Sequence, residues 1–208
     1  MPRLCIGPPV SCPPPPGVDC HSMKTLDQRR ILASLGLGLA ITACIALAWY
    51  RCFPGSLPLG QPDWFAFVAV VLILTVGHEA LHMLGFPGLG LDARTIAGVW
   101  PAGAGSPYVQ HLAPMGRNRF LLACLMPFLV LTILPFALAA HDIGAVAYLS
   151  WISVGNCVGA SSDLHIVAQV LRKVPSSAWV LESGDSLLWE KNPYEENGVS
   201  SLPPRGRD

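Results

Sequence analysis

The sequence predicts an all-α integral membrane protein with four transmembrane helices and both termini in the cytoplasm. Three observations predict it. Hydrophobic residues make up 52% of the chain and charged residues only 12%, against about 25% charged in ordinary soluble proteins. Four apolar segments each approach the roughly 20 residues needed to cross the hydrocarbon core. Basic residues gather on alternate connections between these segments, the pattern of the positive-inside rule.

Residues 1–22 are rich in proline and include four consecutive prolines at 13–16. They lack helical period and a long apolar core, so they read as a disordered leader rather than a signal peptide. Met23 and Lys24, followed by Asp27, Arg29 and Arg30, resemble a natural protein start. The native chain is therefore expected to begin at Met23. The apolar segments run over residues 31–50, 64–86, 119–140 and 145–171. In lipid each backbone polar group must be paired within its segment, so each is expected to be a helix. Pro127 and Pro135 are expected to kink the third.

Lys24, Arg29 and Arg30 precede the first segment. Arg94, Arg117 and Arg119 lie between the second and third, and Arg172 and Lys173 follow the fourth. The opposite side carries only Arg51 and His141-Asp142. This asymmetry puts the 87–118 connection in the cytoplasm with the termini. Within that connection, residues 95–100 and 108–112 are candidate short strands, in a hairpin or a re-entrant segment. Residues 23–172 thus form a four-helix membrane domain. Residues 173–208 form a polar cytoplasmic tail, with Trp179, Trp189 and Tyr194 touching the interface. The bacterial inner membrane is the expected location.

A formal net charge of zero provides no field to hold nucleic acid, so no such partner is expected. None of the seven cysteines forms a CxxC pair. Cys44, Cys124 and Cys157 fall in apolar segments, where a thiol packs as a small apolar group. The spacing of Cys5, Cys12 and Cys20 fits no common zinc pattern.

The chemistry lies in His78-Glu79-Ala80-Leu81-His82. Two histidines four apart share one helix face, so both imidazoles can reach one zinc ion. Glu79 adjoins the first and is placed to act as general base on a zinc-bound water. Ionisable groups at membrane depth cost roughly 2.5–3.5 kcal/mol each, which makes an idle trio there unfavourable. The rival explanation is that all three snorkel from the helix end to the interface.

A zinc hydrolase needs a third protein ligand and one open position. The extended soluble pattern HExxHxxGxxH fails, because Gly85 matches but residue 88 is glycine. Asp163 is the best candidate: it is the only carboxylate in the fourth segment. At 1.5 Å per residue its depth agrees with that of the histidines to within about a turn. Gly155, Gly159 and Asp163 recur every four residues, a small-residue stripe that lets two membrane helices approach closely. His165 and His111 are rival ligands. Asn156 on the same helix could bind substrate, or could hydrogen-bond between helices.

The pattern resembles that of the site-2 proteases, the intramembrane zinc metalloproteases, and is closer to a small four-helix family of zincin peptidases. The resemblance rests on Gly77-His78-Glu79-Ala80-Leu81-His82 and on residues 156–164, with Leu112-Ala113-Pro114-Met115 adding to it. It spans roughly residues 30–172 and implies zinc held by His78, His82 and Asp163, with Glu79 as base and acid. The sequence departs from the site-2 proteases where they carry Asn-Pro and Asp-Gly; Gly159 and Leu164 take those places.

The expected function is zinc-dependent hydrolysis of peptide bonds in or beside membrane segments. The substrate is then a membrane protein or membrane-associated peptide, and the lipid bilayer is the other partner. The alternative is a non-catalytic metal-binding scaffold or sensor. A haem protein is disfavoured, because histidines four apart on one helix cannot oppose each other across a haem.

Overall fold

A computed structural model describes residues 1–13, 20–25, 28–55, 63–101, 106–141 and 145–190. Half of the tail, including Tyr194, and most of the polyproline run lie outside the described residues.

Helices form on all four apolar segments. The first is α1, Gln28–Cys52. The second is α2, Trp64–Leu72, which continues through a π-helical turn, Ile73–Gly77, into α3, His78–Gly85. The third is α4, Arg117–Phe128, which passes through a second π-helical turn, Leu129–Ile133, into α5, Leu134–Ala140. The fourth is α6, Val146–Lys173. Among the described residues, three stretches are long and apolar enough to cross a membrane: Leu32–Cys52, Trp64–Gly85 and Arg117–Ala140. α6 is long enough, but it carries Ser150, Ser153, Asn156, Ser161 and Asp163 along its length.

Local chemistry sets the ends. Asp63 caps α2, its side chain accepting the Phe65 N–H at 3.0 Å, which satisfies one of the orphan donors of a helix start. α3 stops at Phe86, held extended (φ −72°, ψ 157°) before Pro87, as the residue ahead of a proline prefers. Arg119 then donates to the Gly85 and Phe86 carbonyls at 3.0 and 2.8 Å. A cation there satisfies orphan carbonyls and faces the negative end of the helix dipole.

α6 is the central post. It packs along α1, where buried Trp49 donates its indole N–H to Ser153 Oγ at 2.9 Å. It also packs against the second helical run, where Gly155 faces Leu74 so closely that a Cβ would lie 2.6 Å from Leu74 Cδ1. The small-residue stripe read from the sequence therefore lies at a close helix approach.

The all-α expectation needs correction, because two small sheets cap one end of the helices. In one, β3 (Thr95–Trp100) pairs antiparallel with β4 (Ser106–His111), and β1 (Arg3–Ile6) adds parallel to β3. In the other, the order is β2 (His21–Lys24), β7 (Ser186–Glu190), β6 (Trp179–Ser183), β5 (Met115–Gly116). The leader is thus not wholly disordered; its strands find partners far along the chain. The tail likewise opens as a hairpin. Its two-residue Gly184-Asp185 turn starts at φ +57°, a backbone that glycine adopts without strain. Met23, Phe86, Phe120, Val170, Val180 and Leu187 form one buried cluster, which fastens this β-cap to the ends of α3, α4 and α6.

Candidate metal centre

His78 opens α3 directly after the π-helical turn, a local geometry frequent at functional sites. Its Nδ1 lies 2.9 Å from Asn156 Oδ1. The Asn156 amide is oriented by its other contacts: Nδ2 donates to the Pro127 carbonyl and to Thr132 Oγ1, both at 3.0 Å. A carbonyl only accepts, so the atom facing it is nitrogen and the atom facing His78 is oxygen. His78 Nδ1 therefore carries the proton, and Nε2 keeps a free lone pair.

His82 reaches the same state by another route. Its Nδ1 lies 2.9 Å from the Ala123 carbonyl, which can only accept. That carbonyl is open because the residue four further on is Pro127, which has no N–H to return to it. Fixing Nδ1–H in this way sets the tautomer and ring orientation, as the outer partners of metal-binding histidines do.

Asp163 comes from α6. Its Oδ2 lies 3.1 Å from His78 Nε2 and 3.4 Å from His82 Nε2, and the two Nε2 atoms are 3.2 Å apart. Three electron-pair donors thus form a nearly equilateral triangle. Zinc bonds of about 2.0–2.1 Å place the corners of a tetrahedron about 3.3 Å apart, so the donor set fits zinc and leaves the fourth corner open. Gly159 faces the His78 ring, where a Cβ would lie 3.8 Å away, in ordinary contact.

Glu79 belongs to the same cluster, its ligand atom within 4.8 Å of those of His78 and His82, and its carboxylate faces the main-chain N–H of Val109 on β4. Of these four residues, Glu79, His82 and Asp163 line a cavity of ≈550 Å³, with Trp100, Tyr108 and Phe120 among its other walls.

The rival ligands are placed differently. The His111 ring meets Thr95 Oγ1 at 3.2 Å and packs on Phe86. Burial lowers its pKa from the ordinary histidine value. Among the described residues, the buried Nε2 of His165 finds no hydrogen-bond partner. The Asn156 amide has its hydrogen-bonding groups engaged, with Oδ1 facing His78 and Nδ2 facing Pro127 and Thr132.

Two features escaped the sequence reading. One is the pair Pro127 and Thr132, whose roles depend on facing another helix. The other is Glu182 on β6, which lines the cavity and accepts the His111 N–H at 3.1 Å. Burial, together with the Glu79 and Asp163 carboxylates, pushes its pKa up to about 7, against the pull of the His111 N–H and of His82.

The fold and site define a helical, largely apolar protein with a HExxH zinc-type centre. Residues 70–179, more than half of the chain, match the family model described as "Putative zincin peptidase", and the chain belongs to that family. Zinc is the metal such a family implies, and the His78–Glu79–His82 cluster is the place for it. No curated protein and no solved structure matches the chain at a significant level.

Proposed function

We propose that the protein is a zinc-dependent intramembrane peptidase in which His78, His82 and Asp163 hold the metal and Glu79 is the general base. The observation that carries this is the triangle of 3.1, 3.2 and 3.4 Å between the three donor atoms. It favours Asp163 over Glu79 as third ligand and leaves Glu79 available as the base. Zinc held there would polarise the scissile carbonyl and acidify a water. Glu79 is placed to accept a proton as general base and to return it to the leaving amine.

The outer faces of the helices support a site within the bilayer. Phe65 and Leu39 are 89% and 69% exposed; water would penalise such surface and lipid would not. α6 completes four spans, its polar residues turned toward the other helices, and the basic flanks orient both termini to the cytoplasm.

The substrate is a membrane segment or juxtamembrane peptide that unwinds to reach the site. β4 is an edge strand. Leu112 N–H bonds back to Arg94 on the β3 side, and His111 N–H bonds outward to Glu182. By alternation, Val109 turns its N–H and C=O outward, toward Glu79. An unwound substrate can add there as a strand beside the base. Pro107 is also outward, where its missing N–H costs no bond to β3.

The test is cleavage of a tethered membrane substrate by wild type and Glu79→Gln. Wild type should cut, and the variant should lose about 10²–10⁴-fold in rate, the usual contribution of a general base. Equal turnover would remove the peptidase reading.

A further inference from the structure

We propose that the cleft contains a peptide subsite, built by Gln110, Ser183 and Gly184, that grips an extended peptide by its main chain. In this structure the chain's own residues 8–12 fill it as an intramolecular competitor of substrate, which a chain begun at Met23 would lack. The proposal deepens the peptidase reading and rests on it for the identity of the outside ligand.

The grip is specific in geometry. The Gln110 side chain is buried, and its amide embraces Val10: Oε1 accepts the Val10 N–H at 2.9 Å, and Nε2 donates to the Val10 carbonyl at 2.8 Å. Nε2 also donates to the Glu182 carbonyl at 3.2 Å, which fixes which way the amide faces. The Gly184 N–H donates to the same Val10 carbonyl at 2.9 Å. Ser183 repeats the arrangement two residues on: its Oγ accepts the Cys12 N–H at 2.9 Å and donates to the Cys12 carbonyl at 2.8 Å. Tyr108 O–H donates to the Pro8 carbonyl at 3.2 Å. Apart from the Gln110–Glu182 bond, each of these ends on leader main chain, so the subsite reads an extended backbone, not a side-chain sequence.

Two further observations mark the leader as displaceable and well placed to compete. Pro9 lines the cavity that also contains Glu79, His82 and Asp163. The leader buries little apolar surface: Leu4 is 90% and Ile6 86% exposed. It is held mainly by hydrogen bonds, each of modest net worth in water, and segments held this way open readily.

The test uses the full-length chain and a fluorescent peptide with the sequence of residues 6–13. In the variant Val10→Pro/Cys12→Pro the leader loses both N–H donors and the subsite stays intact. The peptide should bind this variant at least tenfold more tightly than wild type. Adding Gln110→Leu or, separately, Ser183→Ala should weaken that binding at least tenfold, and so should N-methylating the peptide at its valine. Equal binding to wild type and the proline variant overturns the proposal, as does binding indifferent to both subsite substitutions. Binding is read without turnover. A gain in binding with no cleavage by any variant keeps the subsite and removes the peptidase; cleavage by wild type with no gain in binding does the reverse.

Discussion

Pro127 removes one N–H from α4, and that absence frees the Ala123 carbonyl for His82. The same residue's own carbonyl orients Asn156, which orients His78. One proline thus supports both histidines. Pro127→Ala restores the N–H as a competitor for Ala123, and Asn156→Leu strips His78 of its partner. Each should weaken zinc binding about 10–100-fold, the usual cost of losing an outer partner of a metal ligand, measured by chelator competition. Glu182 gives a pH signature. Its folded pKa, about 7, is raised above the ordinary carboxyl value, so the folded state holds the proton more tightly than the unfolded one. Its contribution to stability is full below about pH 4.3, the unfolded value, and is lost as pH rises through 7. Thermal melts of metal-free protein should show a fall between pH 5 and 8 that Glu182→Gln flattens. At this scale the convergence of His78, Glu79, His82 and Asp163 was legible from spacing, depth and the small-residue stripe. The role of Asn156 was undecided, because its deciding partners, Pro127 and Thr132, lie on a helix whose facing the sequence does not state.

The site depends on how closely elements approach. Gly85 ends α3 against α4, where a Cβ would lie 2.3 Å from the Ala123 Cα. Backbone cannot yield there as a flexible side chain could. Gly85→Ala should push α3 away from α4, cost about 1–3 kcal/mol as overpacking does, and lower both melting temperature and zinc affinity, because His82 bonds to Ala123. The four helices were legible because long apolar runs repeat one signal many times. The hairpin of β6 and β7 carried a signal too, Gly184-Asp185 between two apolar runs, but the tryptophans there also fit an interfacial tail. The leader strands gave none. Pairing of Arg3–Ile6 with β3 is a contact across some ninety residues, and four residues carry too little pattern to announce it.

The whole molecule has an apolar helical body and a β-cap over the end where the metal centre opens. The body exposes leucine, valine and phenylalanine to its surroundings, and the cap buries a compact apolar cluster of its own. Such a molecule should stay with membranes after a high-pH carbonate wash and enter solution only with detergent; release by the wash would contradict the bilayer reading. In the proposed centre two elements far apart in sequence, α3 and α6, meet to hold one zinc ion and leave Glu79 as the base. The most direct measurement is the zinc content of purified wild type, Asp163→Ala and Glu79→Gln. One zinc per chain is expected in wild type and in Glu79→Gln, and its loss in Asp163→Ala. Zinc retained by Asp163→Ala and lost from Glu79→Gln would contradict it.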